Sequence, residues 1–144
     1  ALGLDETETL RAGKRMVDHA LANGWDETNG GFVDGGYYFT AEGPPAVVMP
    51  TKNWWAQAEG LNALLLMADR FPDDEHRYFD RFVTLWDYTK RYLIDDTYGG
   101  WYLGGLDVEP EHRTGLKGSI WKSAYHDGRA LMNCIVRLEG MGAH

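Results

Sequence analysis

The stretch Lys52-Asn-Trp-Trp-Ala-Gln-Ala-Glu59-Gly-Leu-Asn-Ala-Leu-Leu-Leu-Met-Ala-Asp-Arg70 decides the reading of this chain. It has an answering stretch near the C-terminus, Trp121-Lys-Ser-Ala-Tyr-His126-Asp-Gly-Arg129 and onward to Leu138. Each reads as a helix whose first turns carry aromatic and ionisable groups and whose remainder is apolar at helical spacing. Trp55, Glu59 and Asn62 fall at i, i+4 and i+7. His126, Arg129, Ala130 and Asn133 fall at i, i+3, i+4 and i+7. Residues at these offsets share one helix face. A core helix would put only apolar groups there. The mixture of Trp, Tyr, Glu, His and Arg suits a polyhydroxylated ligand better than a packed interior.

Working outward, Glu6 to Asn23 reads as a helix with Leu10, Gly13, Val17, Ala20 and Leu21 on one face, stopped by Asn23-Gly24. Gly pairs around Phe32 and Tyr37-Tyr38-Phe39 predict a small hairpin or tight double turn. Ala41 to Pro50 holds three of the five prolines and should be an extended connection. Glu75 to Ile94 reads as a third helix, with an aromatic stripe of Tyr78, Phe79, Phe82, Leu85, Trp86, Tyr92 and Leu93 assigned to packing. Val108 to Ser119 reads as a polar connection, and Trp121 to Gly140 as the last helix.

The chain repeats itself. Gly30-Gly31-Phe32-x-x-Gly35-Gly36 matches Gly99-Gly100-Trp101-x-x-Gly104-Gly105 at an offset of 69 residues. Trp55 and Trp121 align at an offset of 66, and Glu59 and His126 at 67. The expected class is therefore all-α, with helix, Gly-rich hairpin loop and helix as the unit, over about residues 6–70 and 75–140. Such repeats bury their apolar faces against neighbours, and a complete array usually needs three or more. A two-unit chain leaves an apolar flank open and is expected to self-associate through it.

Bulk properties exclude several classes. At 144 residues the length suits one domain. A net charge of -8 and a pI near 5.0, with no Lys/Arg cluster, argue against nucleic acid. The longest apolar run, Leu61 to Ala68, is far short of the roughly 20 residues of a membrane span. No secretory leader pattern opens the sequence, so a cytoplasmic location is expected. The lone Cys134 lies among apolar residues and reads as a buried structural thiol. No His/Cys/Asp cluster has metal-ligand spacing, and Asp73-Asp74-Glu75 reads as charge at a helix start.

Two segments, Lys52-Asn-Trp-Trp-Ala-Gln-Ala-Glu59 and Trp121-Lys-Ser-Ala-Tyr-His-Asp-Gly-Arg129, resemble signatures of the N-acylglucosamine 2-epimerase superfamily, and most of all its cellobiose 2-epimerase branch. The resemblance implies an (α/α)6 barrel, six helical hairpins around a central funnel, of which this chain would supply about the last four helices. It implies inversion of the carbon next to the carbonyl of an aldose, or aldose–ketose isomerisation. Two histidines would act on opposite sides of the sugar, with neither metal nor cofactor. His126 falls where the family's C-terminal catalytic histidine lies. The partner histidine belongs to a Gly-His-rich motif of an earlier helix, which this chain lacks; the context of His19 does not match it. As a stand-alone chain it is expected to be incomplete.

The residue types suit that chemistry. Imidazole can take a proton α to a carbonyl and return it. Arg129 could donate to the enediolate oxygen. Trp55, Trp121 and Trp54 could offer flat faces to the sugar, Gln57 could bind hydroxyls, and Glu59 could accept hydroxyl hydrogen bonds or assist ring opening. Each has a plainer reading. A tryptophan pair at a helix start, such as Trp54-Trp55, usually packs; Glu59 reads equally as a solvated or salt-bridged helix residue, and Arg129 as only the partner of Asp127 or Glu59. Lys52 would be solvent-facing or paired. Two other functions fit a helical toroid: glycoside hydrolysis or lyase action, which needs a second carboxyl group, and sugar binding without catalysis.

Overall fold

The computed structural model describes residues 6–142. Its elements run α1 (Glu6–Gly24), β1 (Gly35–Tyr37), β2 (Ala46–Met49), α2 (Trp54–Arg70), α3 (Tyr78–Tyr92), a short 3-10 turn at Pro110–Arg113, and α4 (Tyr125–Met141). The all-α class holds, with four helices and a short two-stranded ribbon. β1 and β2 form one antiparallel ribbon with an irregularity between Gly35 and Gly36.

α2 is the central element. It is apolar almost all round, with Ala58, Leu61, Leu64, Leu65, Met67 and Ala68 buried, because α3 and α4 pack on it from two sides and α1 grazes a third. α4 sets Ala130 and Cys134 into that core. Burial pushes the Cys134 thiol pKa up, as suits a structural thiol. α2 and α4 run parallel. Glu59 meets Arg129 near their N-terminal ends, and Asp69 meets Arg137 at 2.7 Å near their C-terminal ends.

The repeat is real in three dimensions at its loops. Asp26 accepts from the amides of Thr28 and Asn29, and Asp95 from those of Thr97 and Tyr98. The bridges Trp25–Phe32 and Ile94–Trp101 close the two loops at matching positions. Gly30, Gly31, Gly99 and Gly100 all have positive φ, between 72° and 89°, which only glycine adopts at low cost. A lysine clasps each loop. Lys52 Nζ donates to Asp26 Oδ2 at 2.7 Å and to Gly30 O at 3.0 Å. Lys117 Nζ donates to Asp95 and to Gly99 O. That ammonium holds the Asp95 carboxyl down at about 2.

Several expectations need correction. α4 begins at Tyr125, so Trp121 to Ala124 lie outside the helix. Ser119 organises that segment, its Oγ accepting from the amides of Trp121 and Lys122. α3 is trimmed at both ends relative to 75–94, and Phe79 of its aromatic stripe is exposed. Part of the extended connection before α2 is strand β2. Lys52 does not face solvent; it is 1% exposed and paired.

Candidate active site

The start of α2 is fixed from both repeats. Asn53 caps it, accepting from Ala56 N at 2.9 Å, and Asp34 holds Asn53 N at 2.9 Å. Thr51 Oγ1 donates to the other Asp34 oxygen at 2.6 Å. From the second loop, Gly105 N donates to Lys52 O, and Leu103 O accepts from Trp54 N. Gln57 is fully buried and reads both backbone groups of Phe32: Oε1 accepts its amide and Nε2 donates to its carbonyl, each at 2.8 Å. Trp54 is also buried, with the Lys122 ammonium 5.4 Å from its ring centroid. Two of the candidate ligand-binding residues, Trp54 and Gln57, are thus interior and brace the loops.

The opposite face of the first turns presents Trp55 and Glu59 one turn apart. Across from them, the first turns of α4 present Tyr125, His126 and Arg129. His126 Nδ1 lies 2.7 Å from Glu59 Oε1. Arg129 Nη2 donates to the same oxygen, and its Nη1 donates to Tyr125 Oη at 3.0 Å. The Trp55 and His126 rings are 6.1 Å apart, and Tyr125 meets His126 edge-on at 5.0 Å. The Arg129 guanidinium sits 4.7 Å above the Tyr125 ring. Buried Arg129 Nε has no hydrogen-bond partner among the described residues.

Chemically, an ionised carboxylate only accepts. A neutral His126 donating from Nδ1 to such a carboxylate has its lone pair on Nε2. The His126 and Glu59 side chains are each 31% exposed, which leaves them within reach of a ligand. Of the candidate residues, the structure joins Trp55, Glu59, His126 and Arg129. Trp121 is not among them: it is 82% exposed, and no ring contact links it to His126 or Trp55 among the described residues. Tyr125, which the sequence places only in the mixed aromatic and ionisable face, joins the cluster through its i, i+4 relation to Arg129. A cleft of about 530 Å³ opens beside the cluster, from Trp55 and Glu59 to Met16 and His19 of α1 and Tyr38 beyond β1. Only tertiary packing brings His19 and Tyr38 there.

Fold and site together define a class: paired-helix repeats carrying a His–Glu–Arg cluster, walled by aromatics, at the N-terminal ends of two parallel helices. The comparisons narrow the class. The family model described as N-acylglucosamine 2-epimerase (GlcNAc 2-epimerase) matches residues 2–129, and the chain belongs to that family. It is 31% identical over 117 residues to a D-mannose isomerase of Marinomonas mediterranea, covering 81% of this chain and 28% of the relative. It is 30% identical over 88 residues to a cellobiose 2-epimerase of Ruminococcus albus, covering 60% and 22%. A crystal structure of D-mannose isomerase superposes with a TM-score of 0.74 at 29% identity, over 91% of this chain and 32% of that one. The cellobiose 2-epimerase from Spirochaeta thermophila shares the fold, with a TM-score of 0.63 at 24% identity. The four helices are those of an (α/α)6 toroid. The chain spans about a quarter of the length of the curated relatives it matches. No described helix is long and apolar enough to cross a membrane.

Proposed function

We propose that this chain carries one side of a sugar 2-epimerase or aldose–ketose isomerase site, within two of the six helical hairpins of a barrel. The substrate would be a reducing sugar of the mannose, cellobiose or N-acylglucosamine type. The observation that carries the reading is the 2.7 Å contact of His126 Nδ1 with Glu59, flanked by Arg129. His126 Nε2 takes the proton from C2 of the open-chain sugar. The C–H electron pair becomes the C1=C2 bond of an enediolate, and charge moves to O1. The exposed part of the Arg129 guanidinium and the aromatic faces of Trp55 and Tyr125 suit that anion and the C–H side of the sugar. Return of a proton to the other face of C2 gives the epimer; return to C1, with the O2 proton passing to O1, gives the ketose. Neither outcome consumes a redox equivalent. The names of the relatives, a mannose isomerase and cellobiose 2-epimerases, support both outcomes.

The test is exchange of the C2 proton in D2O, followed by NMR, with mannose, glucose, cellobiose and N-acetylmannosamine. The chain and a version extended to the length of its relatives are run side by side. Loss of the C2 signal, abolished by His126→Ala without loss of helical circular dichroism, is expected of the extended protein. Exchange that survives His126→Ala would refute the assignment. Release of a monosaccharide from a glycoside would favour hydrolysis instead.

A further inference from the structure

The two halves of the cluster stand on different helices, and one short segment grips both. Trp101 to Asp107 crosses the start of α2, where Trp54 N donates to Leu103 O at 3.1 Å and Gly105 N to Lys52 O at 2.9 Å. Lys52 Nζ also donates to Asp107 Oδ2 at 2.8 Å. The segment is seated in turn on the end of α3, where Tyr102 N donates to Leu93 O at 2.7 Å and Leu106 N to Tyr92 O at 3.2 Å. On its other side it meets the chain on the way into α4: Lys122 Nζ donates to Trp101 O at 2.9 Å.

Lys122 is 8% exposed, and its ammonium lies 5.4 Å from the centre of the buried Trp54 ring. Trp101 O is its one hydrogen-bond acceptor among the described residues. Burial lowers its pKa against the pull of Asp127. Holding a charge there on a single neutral acceptor is costly, and an apolar chain of the same length would fill the space as well. What the ammonium adds is a fixed point just before α4, whose Ala124 cap position has no side-chain hydrogen bond. His126 lies four residues on. Ala130, Cys134 and the Asp69–Arg137 pair hold α4 one turn or more beyond His126. Its first turn is left to the Lys122 tie and to the bonds of the cluster itself. We propose that Lys122 is a positioning residue for the site: by tying the approach to α4 onto Trp101 O, it holds His126 at hydrogen-bonding distance from Glu59 through the same segment that fixes the start of α2. The partners of this tie all lie within the chain, so it does not depend on the remaining helices of a toroid. The consequence for catalysis rests on the function proposed above; the consequence for geometry does not.

The geometry is read on the chain by NMR, as the hydrogen-bonded Nδ1 proton of His126, assigned by its loss in Glu59→Ala. Lys122→Met keeps the apolar stem and removes the donor, and in it that proton should exchange with water at least about tenfold faster. Arg137→Met removes a charge from the far end of the same helix and should leave the exchange within about twofold of wild type, which separates lost positioning from lost stability. In the wild-type chain the Lys122 ammonium protons should themselves be protected, which tests the tie even where Lys122→Met does not fold. In a version of the protein that exchanges C2 protons, Lys122→Met should lower kcat by about 10–100-fold with KM nearly unchanged. An unprotected Lys122 ammonium, an unchanged His126 proton in folded Lys122→Met, or the same loss in Arg137→Met would each overturn the proposal. C2 exchange that survives His126→Ala would instead overturn the catalytic reading and leave the His126 proton as the sole judge of the positioning.

Discussion

Replacing Lys52 by Met removes a charge from the most enclosed ion pair among the described residues. The Lys52 ammonium donates to Asp26 Oδ2 at 2.7 Å, Asp107 Oδ2 at 2.8 Å and Gly30 O at 3.0 Å, and lies 4.5 Å from the centre of the Tyr88 ring. Methionine keeps most of the apolar stem, so the cost is electrostatic. Asp26 retains its bonds from Thr28 and Asn29 and is partly open to water. Asp107 is only 7% exposed and retains the Tyr88 hydroxyl at 2.7 Å. Stranding a buried partner in this way costs about 3–5 kcal/mol. With a urea slope of about 2 kcal/mol per M, the midpoint should drop by about 1.5–2.5 M, read by far-UV circular dichroism. Lys52→Met/Asp107→Asn removes the stranded charge and should recover much of the loss. Burial raises the Asp26 carboxyl, but the Lys52 ammonium and the two amides outweigh it and bring it down to about 2. A depressed carboxyl stabilises the fold fully above its ordinary value near 3.8. That contribution is lost as pH falls through about 2, so the Asp26 part of the difference between wild type and Lys52→Met should close in that window. A midpoint drop below about 0.5 M at neutral pH, less than a 1 kcal/mol effect on the same slope, would refute the reasoning.

Gln57→Leu leaves both backbone groups of Phe32 unpaired in the interior; a loss of about 2–4 kcal/mol is expected, seen as a Tm lowered by roughly 5–10 °C. Gly60→Ala would place Cβ 2.7 Å from Phe32 Cε2 and 3.0 Å from Leu85 Cδ2, and should cost about 1–3 kcal/mol in urea unfolding despite alanine's better helix propensity. Glu59→Gln removes the negative charge that holds the His126 Nδ1 proton and puts an amide donor in competition with the acceptor there. In a protein competent for C2 exchange it should lower the exchange rate by about 10²–10⁴-fold with the unfolding midpoint nearly unchanged; retention of the full rate would exclude Glu59 from the chemistry.

The sequence carried the helix plan because its signals are local. The apolar run of α2, the Asn23-Gly24 stop and the paired glycines each act within a few residues. The cluster was legible in part for the same reason, since i, i+4 spacing put Trp55 with Glu59 and i, i+3 spacing put His126 with Arg129. Trp54 and Trp55 defeat such reasoning. They are adjacent, yet one is buried under Lys122 and the other walls the cluster, a choice made by where the second loop crosses α2. The repeat misled at Trp121. Aligned tryptophans suggested equivalent helix positions, but α2 starts at residue 54 and α4 at 125, so the offset between helix starts is 71, not 66. The clasping lysines show the same slippage. Lys52 follows its aspartate by 26 residues and Lys117 by 22, yet both bond the aspartate and the carbonyl four residues on.

This slippage leaves the two halves of the cluster unequally anchored. The Glu59 half stands on a helix start held by the Asn53 cap, Asp34, the Gln57 bonds to Phe32 and the Lys52 clasp. The His126 half stands on α4, whose Ala124 cap position has no side-chain hydrogen bond. The segment before it is tied down by the Ser119 turn and by Lys122 Nζ donating to Trp101 O at 2.9 Å. Burial lowers the pKa of that lysine, so its tie works against desolvation. Helix ends without such partners open locally at lower free energy than the core. Native-state amide hydrogen exchange should therefore show the amide of Ala56, bonded to the Asn53 side chain, exchanging at least about tenfold more slowly than that of Gly128, bonded to Ala124 O, a gap of about 1.4 kcal/mol in opening free energy. Loading of the cluster by a sugar that bridges Trp55 and His126 should narrow the gap, because ligand binding stabilises the closed state by mass action. Equal protection at both positions in the free chain would show that α4 is as firmly seated as α2, and would place the rigidity of the site in the helix–helix packing rather than in the loops.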